Sequence, residues 1–162
     1  MRPVMRVYAD TSVFGGAFDD EFQPVGAQFF DLVRKGRLTL VVCATVRDEL
    51  EAGPAGVRDL YREMRGLAET VDVPREAVEL RSAYIAAGVV SPKCQTDALH
   101  VATATVSGCA MIVSWNFQHI VNYRRIPMYS AVNALNGYGP IAIHSPMEVV
   151  ADERDRQEQE DV

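Results

Sequence analysis

Cysteine is scarce in this chain and basic charge is in deficit. Three cysteines in 162 residues, Cys43, Cys94 and Cys109, form no CxxC and cannot all pair. That excludes a disulfide framework, and no Cys/His set with ordinary zinc-site spacing is present. Cys43 and Cys109 sit in apolar, strand-like runs and read as buried thiols of a reduced, cytoplasmic protein. Sixteen Lys and Arg stand against twenty-two Asp and Glu, a net charge of −6. A protein that coats nucleic acid by bulk charge is thereby excluded, although a local basic patch is not. No apolar run approaches the roughly 18 residues of a membrane helix, and no signal-type apolar stretch opens the chain. Internal repeats and low-complexity segments are also missing. What remains, 48% apolar and 23% charged, is ordinary for one globular domain.

The acidity is uneven. Asp152 to Asp161 holds six acids and two arginines, so it carries −4 of the −6. Residues 150–162 are polar, lack aromatics, and read as a disordered acidic tail behind a domain spanning 1–149.

Within that domain, strand and helix patterns alternate. Val4–Asp10 reads as a strand ending in an acid, and Thr11–Gly16 as a loop whose paired glycines mark a turn. Val25–Lys35 has helical spacing and ends at Gly36, suited to the C′ position. Leu38–Cys43 is a continuous β-rich run, as in a strand covered on both faces. Helices follow over Ala44–Ala52 and Ala55–Glu69, then a short strand at Val71–Val73 and a helix from Pro74 to Gly88. After the Val89–Pro92 linker, a helix rich in Ala and Thr runs to Ser107. Ala110–Ser114 is a strand, Asn122–Asn136 a helix, and Ile141–His144 a last short strand. Such alternation predicts an α/β, three-layer sandwich with a mostly parallel central sheet and helices on both faces. In sheets of that kind ligands bind beyond the carboxyl ends of the strands, at the switch point of the strand order.

Chemistry-bearing residues collect at those ends. Asp10 follows the first strand, and Asn116 follows the Ala110–Ser114 strand. Glu49 lies on the short helix after Cys43, and Asp97 lies near a helix start, where the dipole favours a carboxylate. Clustered carboxylates repel unless a cation joins them, and oxygen donors with water suit Mg²⁺ or Mn²⁺. A cation so placed binds a phosphate oxygen and activates water for in-line attack. Lys93, Arg124 and Arg125 lie near the expected cleft as phosphate contacts. His100 and Trp115 read as core-edge residues rather than as a proton donor and a base-stacking platform. The Arg58/Arg62/Arg65 stripe reads as a solvated face paired with Asp59 and Glu63.

Four pieces in this order, Tyr8-Ala9-Asp10-Thr11-Ser12, Arg47-Asp48-Glu49-Leu50, Thr96-Asp97-Ala98-Leu99-His100-Val101-Ala102 and Ile112-Val113-Ser114-Trp115-Asn116-Phe117, resemble the PIN-domain family of metal-dependent nucleases. They look most like the toxin subunits of VapBC-type toxin–antitoxin pairs. The resemblance spans about Val4 to Val149. It implies a PIN-like sandwich, a Mg²⁺ or Mn²⁺ centre, and hydrolysis of RNA that leaves a 5′-phosphate and a 3′-hydroxyl. Asp10, Glu49 and Asp97 fall on its acidic metal positions, and Ser12 and Ser114 on supporting hydroxyl positions. An antitoxin partner and a homodimer, with the apolar positions around Val57–Leu67 as its surface, are implied as well. One departure stands out: Asn116 occupies a position where many members carry a fourth acid, and Gln118 another. Asn116 still offers a neutral oxygen, but the formal charge of the site falls to −3, which implies a one-metal or weakly two-metal site with low activity or a preference for Mn²⁺. The alternative is a PIN domain that docks RNA or a partner without turnover. A haloacid-dehalogenase-type phosphatase wants a second Asp where Ser12 stands. A phosphoryl-accepting receiver domain wants paired acids before the first helix, which are not here.

Overall fold

The computed structural model describes residues 3–162. Among them are five strands, β1 (Met5–Ala9), β2 (Leu38–Cys43), β3 (Glu69–Val71), β4 (Met111–Val113) and β5 (Ala142–His144). Eight α-helices accompany them: α1 (Thr11–Gly16), α2 (Gln23–Arg34), α3 (Ala44–Glu51), α4 (Ala55–Met64), α5 (Arg75–Ala86), α6 (Gln95–Val106), α7 (Arg125–Leu135) and α8 (Pro146–Glu160). A 3-10 turn, Pro92–Cys94, leads into α6.

All strand pairs are parallel, and the sheet order is β3-β2-β1-β4-β5. β1 and β2 are apolar on both faces because both faces are covered: Val7, Tyr8, Ala9, Leu40, Val41 and Val42 are fully buried. One layer holds α1, α2, α3, α4 and α8, which pack on one another; the other holds α5, α6 and α7. The three-layer α/β sandwich expected from the alternation is the one observed, with a sheet that is wholly parallel. The chain runs outward from β1 through β2 to β3, then returns to the other side of β1 for β4 and β5. The switch point therefore lies between the carboxyl ends of β1 and β4, where Asp10 and Ser114 stand.

Two expectations are corrected. Thr11–Gly16 is the helix α1, not a loop. Its paired glycines do not make a turn, and Gly16 has no positive φ. Gly16 is small because Trp115 lies against it; a Cβ there would sit 2.6 Å from the indole Nε1. Residues 150–162 are not a free tail. Residues 150–160 continue α8, which packs on α2 and buries Val149, Val150 and Glu153. Glu153 receives Arg37 Nε at 3.2 Å, so a residue that composition marks as solvated is an anchor. On α4, Val57, Tyr61 and Met64 are spent on the chain's own core, while Leu60 is half-buried and Leu67, just beyond the helix, is exposed.

Candidate metal centre

Asp10 follows the last residue of β1 in extended conformation and sits at the N-cap position of α1, yet its side chain makes no cap hydrogen bond. Capping is thus not its main engagement, although the Val13 amide in the first turn still favours the charged carboxylate. Its two oxygens instead accept from two hydroxyls: Ser12 Oγ donates to Oδ1 at 2.5 Å, and Ser114 Oγ donates to Oδ2 at 2.6 Å. Each hydroxyl also accepts a backbone N–H, Ser12 from Trp115 and Ser114 from Asn116, both at 2.9 Å. That double use leaves each hydroxyl hydrogen aimed at the carboxylate. Asp10 is only 4% exposed. Burial pushes its carboxyl above the usual carboxylate range, against the opposing pull of His100, the two serines and the Val13 amide. A buried carboxylate held by neutral donors is a group that a cation would stabilise.

The other oxygen donors approach from neighbouring elements. Glu49 is exposed on α3 and accepts Thr11 Oγ1 at 2.5 Å, which ties it to the residue after Asp10. Its neighbour Asp48 is engaged by Arg47 instead. Asp97 is half-buried in the first turn of α6. Asn116 is close to Ser114, but its Oδ1 accepts the N–H groups of Gln118 and His119 at 3.1 and 2.9 Å. That oxygen is committed to a turn. Hydrogen bonds thus join Asp10, Ser12, Ser114 and Asn116, and Glu49 is tied to the same segment through Thr11, the residue after Asp10. Asp97 is not drawn tightly onto the other acids. Among the described residues, the one group of three His, Cys, Asp or Glu ligand atoms all within 4.8 Å of one another is Cys94, Asp97 and His119. Asp10, Glu49 and Asp97 offer the oxygen donors that a hard ion takes, but their carboxylates do not gather within 4.8 Å of one another as the Cys94, Asp97 and His119 ligand atoms do.

No family model matches the chain, and no curated protein matches it. A solved structure does: VapBC2 from Rickettsia felis, crystallised bound to a DNA fragment from its promoter. The match has a TM-score of 0.57 and 14% identity, and it covers 87% of this chain and 98% of that one. At that identity the likeness is one of fold, and it makes the sandwich PIN-like.

Behind Asp10 lies a cluster that the sequence did not disclose. Tyr8 Oη is 2.8 Å from His100 Nδ1 and 3.1 Å from Cys43 Sγ, all three buried. Burial alone would lower the His100 imidazole; Cys43 and the charges of Asp10 and Glu49 outweigh it and hold it above its ordinary value. Burial opposes the Cys43 thiolate, yet His100, Tyr8 and the Val46 N–H bring the thiol down to about 7. The signal available beforehand was spacing: His100 is one turn after Asp97, and Tyr8 shares the inward face of β1 two residues before Asp10. Cys43 ends β2, next to β1, but nothing in its neighbours marks it. Thr11 was similarly unmarked.

The three basic candidates differ in availability. Lys93 is exposed on the 3-10 turn, next to Cys94. Arg124 is exposed and rests on Tyr123, with its guanidinium 5.5 Å from the ring centroid. Arg125 is spent on backbone: it donates to Gln118 O at 2.9 Å and to Val89 O, and so straps the β4–α7 loop to the α5–α6 linker. Trp115 is buried against Phe22, with stacked rings 4.2 Å apart, and is packing rather than a base platform. In the α4 stripe Arg62 pairs with Asp59, while Glu63 is taken by Arg34 from α2.

Proposed function

We propose that the chain is a metal-dependent endoribonuclease that hydrolyses RNA phosphodiester bonds, the toxin of a toxin–antitoxin pair. The observation that carries this reading is Asp10: a buried carboxylate at the switch point, with both oxygens oriented by hydroxyls. Asp10 and Asp97 would hold Mg²⁺ or Mn²⁺, with Glu49 as a further oxygen donor. The ion supplies Lewis acidity at the phosphate and a water of lowered pKa. The chain's own residues do the positioning. Ser12 and Ser114 fix both oxygens of Asp10, Thr11 holds Glu49 at the rim, and Lys93 and Arg124 are free to meet RNA phosphates. Arg125 assists indirectly, by holding the loop that carries Asn116. Asn116 supports the turn instead of donating to the ion, so the centre rests on three carboxylates and takes one ion firmly.

The fold likeness to a protein solved as VapBC2 on its promoter DNA supports an antitoxin as partner. The three free cysteines suit a reducing cytoplasm, and no helix of the described residues is long and apolar enough to cross a membrane. A homodimer through the Val57–Leu67 region would use its exposed part, where Leu67 stands.

The test is cleavage of a pool of structured and unstructured RNAs by the chain free of any partner, in Mn²⁺ and then Mg²⁺. Cleavage abolished by Asp97→Asn and by a chelator is the expected result. No cleavage, or cleavage indifferent to Asp97, overturns the reading in favour of a PIN domain that binds without turnover.

A further inference from the structure

Asp97 also belongs to a donor set of different chemistry. Cys94 closes the 3-10 turn, Asp97 follows it by one turn on α6, and His119 reaches over from the loop after β4. One ligand atom from each lies within 4.8 Å of the other two, and Cys94 Sγ is 3.5 Å from His119 Nε2. Tetrahedral zinc with its usual bonds of about 2.3 Å to sulfur and about 2.0–2.1 Å to nitrogen sets those two atoms roughly 3.6 Å apart. The histidine is held before any ion arrives. Its backbone N–H donates to Asn116 Oδ1 at 2.9 Å, and its carbonyl accepts Tyr129 Oη at 2.8 Å. All three residues are half-buried, so an ion has an entry path. Spacing alone did not reveal the set, because 94, 97 and 119 follow no ordinary zinc pattern.

We propose that Cys94, Asp97 and His119 form a binding site for a thiophilic divalent cation of the Zn²⁺ class, and that an ion there competes with the hard-cation centre for Asp97. One thiolate and one carboxylate balance a divalent charge, and loading it releases the Cys94 proton. Sulfur and imidazole disfavour Mg²⁺, which wants oxygen, so the two centres differ in what they take and share one carboxylate. Three protein ligands leave a fourth position open to water. Metal on Nε2 places the proton of His119 on Nδ1, which is buried and has no hydrogen-bond partner. The outer-shell acceptor that strengthens many histidine ligands is thus missing, which weakens His119 as a ligand. The competition rests on the nuclease reading of Asp97; the thiophilic site itself does not.

The probe is Co²⁺ titrated into the full-length, reduced, metal-free chain. The expected result is one tetrahedral Co²⁺ per chain with a thiolate-to-cobalt charge-transfer band, displaced by Zn²⁺. Cys94→Ser removes the band, and His119→Gln weakens binding by about tenfold or more. Cys43→Ser and Cys109→Ser retain it, and circular dichroism confirms that each variant is folded. Absence of the band, or its survival in Cys94→Ser, overturns the site. Competition is read separately, from Mn²⁺ bound to the chain by electron paramagnetic resonance. Zn²⁺ at one equivalent should release Mn²⁺ from the wild type and leave it bound to Cys94→Ser. Equal release from both, or no Mn²⁺ bound at all, overturns the competition, and the second outcome overturns the hard-cation reading too while the cobalt result stands by itself.

Discussion

Replacing Ser114 by alanine removes one oxygen atom from a fully buried site and breaks two hydrogen bonds. The hydroxyl donates to Asp10 Oδ2 at 2.6 Å and accepts the Asn116 N–H at 2.9 Å. A hydrogen bond to a charged group is worth about 1.5–3 kcal/mol, and a part-buried N–H left without a partner costs about 1 kcal/mol more. The expected loss is therefore about 2–4 kcal/mol, or roughly 5–15 °C in Tm for a domain of this size. The loss depends on pH with a definite sign. Ser114 favours the ionised carboxylate, so the cost is full where Asp10 is charged and shrinks as pH falls and Asp10 takes up a proton. Urea unfolding of wild type, Ser114→Ala, Asp10→Asn and the double variant separates the two bonds. The Asp10 share should appear as a coupling of about 1.5–3 kcal/mol at neutral pH. A Ser114→Ala loss below about 0.5 kcal/mol, the scale of an ordinary surface change, would refute the argument that this hydroxyl orients a charged Asp10.

Three other outcomes follow from separate parts of the molecule. Gly16→Ala should cost about 1–3 kcal/mol, as overpacking does, and should shift the emission of Trp115, the sole tryptophan, because a Cβ there meets the indole at 2.6 Å; unchanged emission and stability would contradict the packing. The difference spectrum between wild type and Cys43→Ser should show a thiolate titrating near 7. A thiol lowered on folding stabilises the native state above its unfolded value and loses that contribution as pH falls through about 7; His100→Gln should return the midpoint toward the ordinary thiol value. A chain ending at Met147 gives up the burial of Val149 and Val150, about 1.5–3 kcal/mol each, and its urea midpoint should fall accordingly; an unchanged midpoint would restore the view of 150–162 as a free tail.

The parallel sheet was legible because β2 is apolar at nearly every position and because helix-ending glycines punctuate the chain. Gly36 and Gly108 both take positive φ just past α2 and α6. What sequence reading missed is long-range. Gly16 looked like a turn residue, and only the approach of Trp115, 99 positions away in the chain, shows why it lacks a side chain. The α8 segment reads as solvated on composition because its acids outnumber its apolar residues, yet three inward positions suffice to dock it on α2. The acids at the strand ends were placed by topology alone, as expected of a switch point. Their individual roles were not: Asn116 proved to be a turn-former, and Asp97 proved to share its surroundings with a thiol and an imidazole.

The central claim is that Asp10 and Asp97 hold one hard cation, and Mn²⁺ binding reports on it without requiring any particular RNA. Titration of the metal-free chain, followed by electron paramagnetic resonance, should give one firmly bound ion per chain. Asp10→Asn and Asp97→Asn should each weaken that ion by about tenfold or more, whereas Cys94→Ser should leave it in place. An ion bound equally well by Asp10→Asn, or no bound ion in the wild type, would contradict the account.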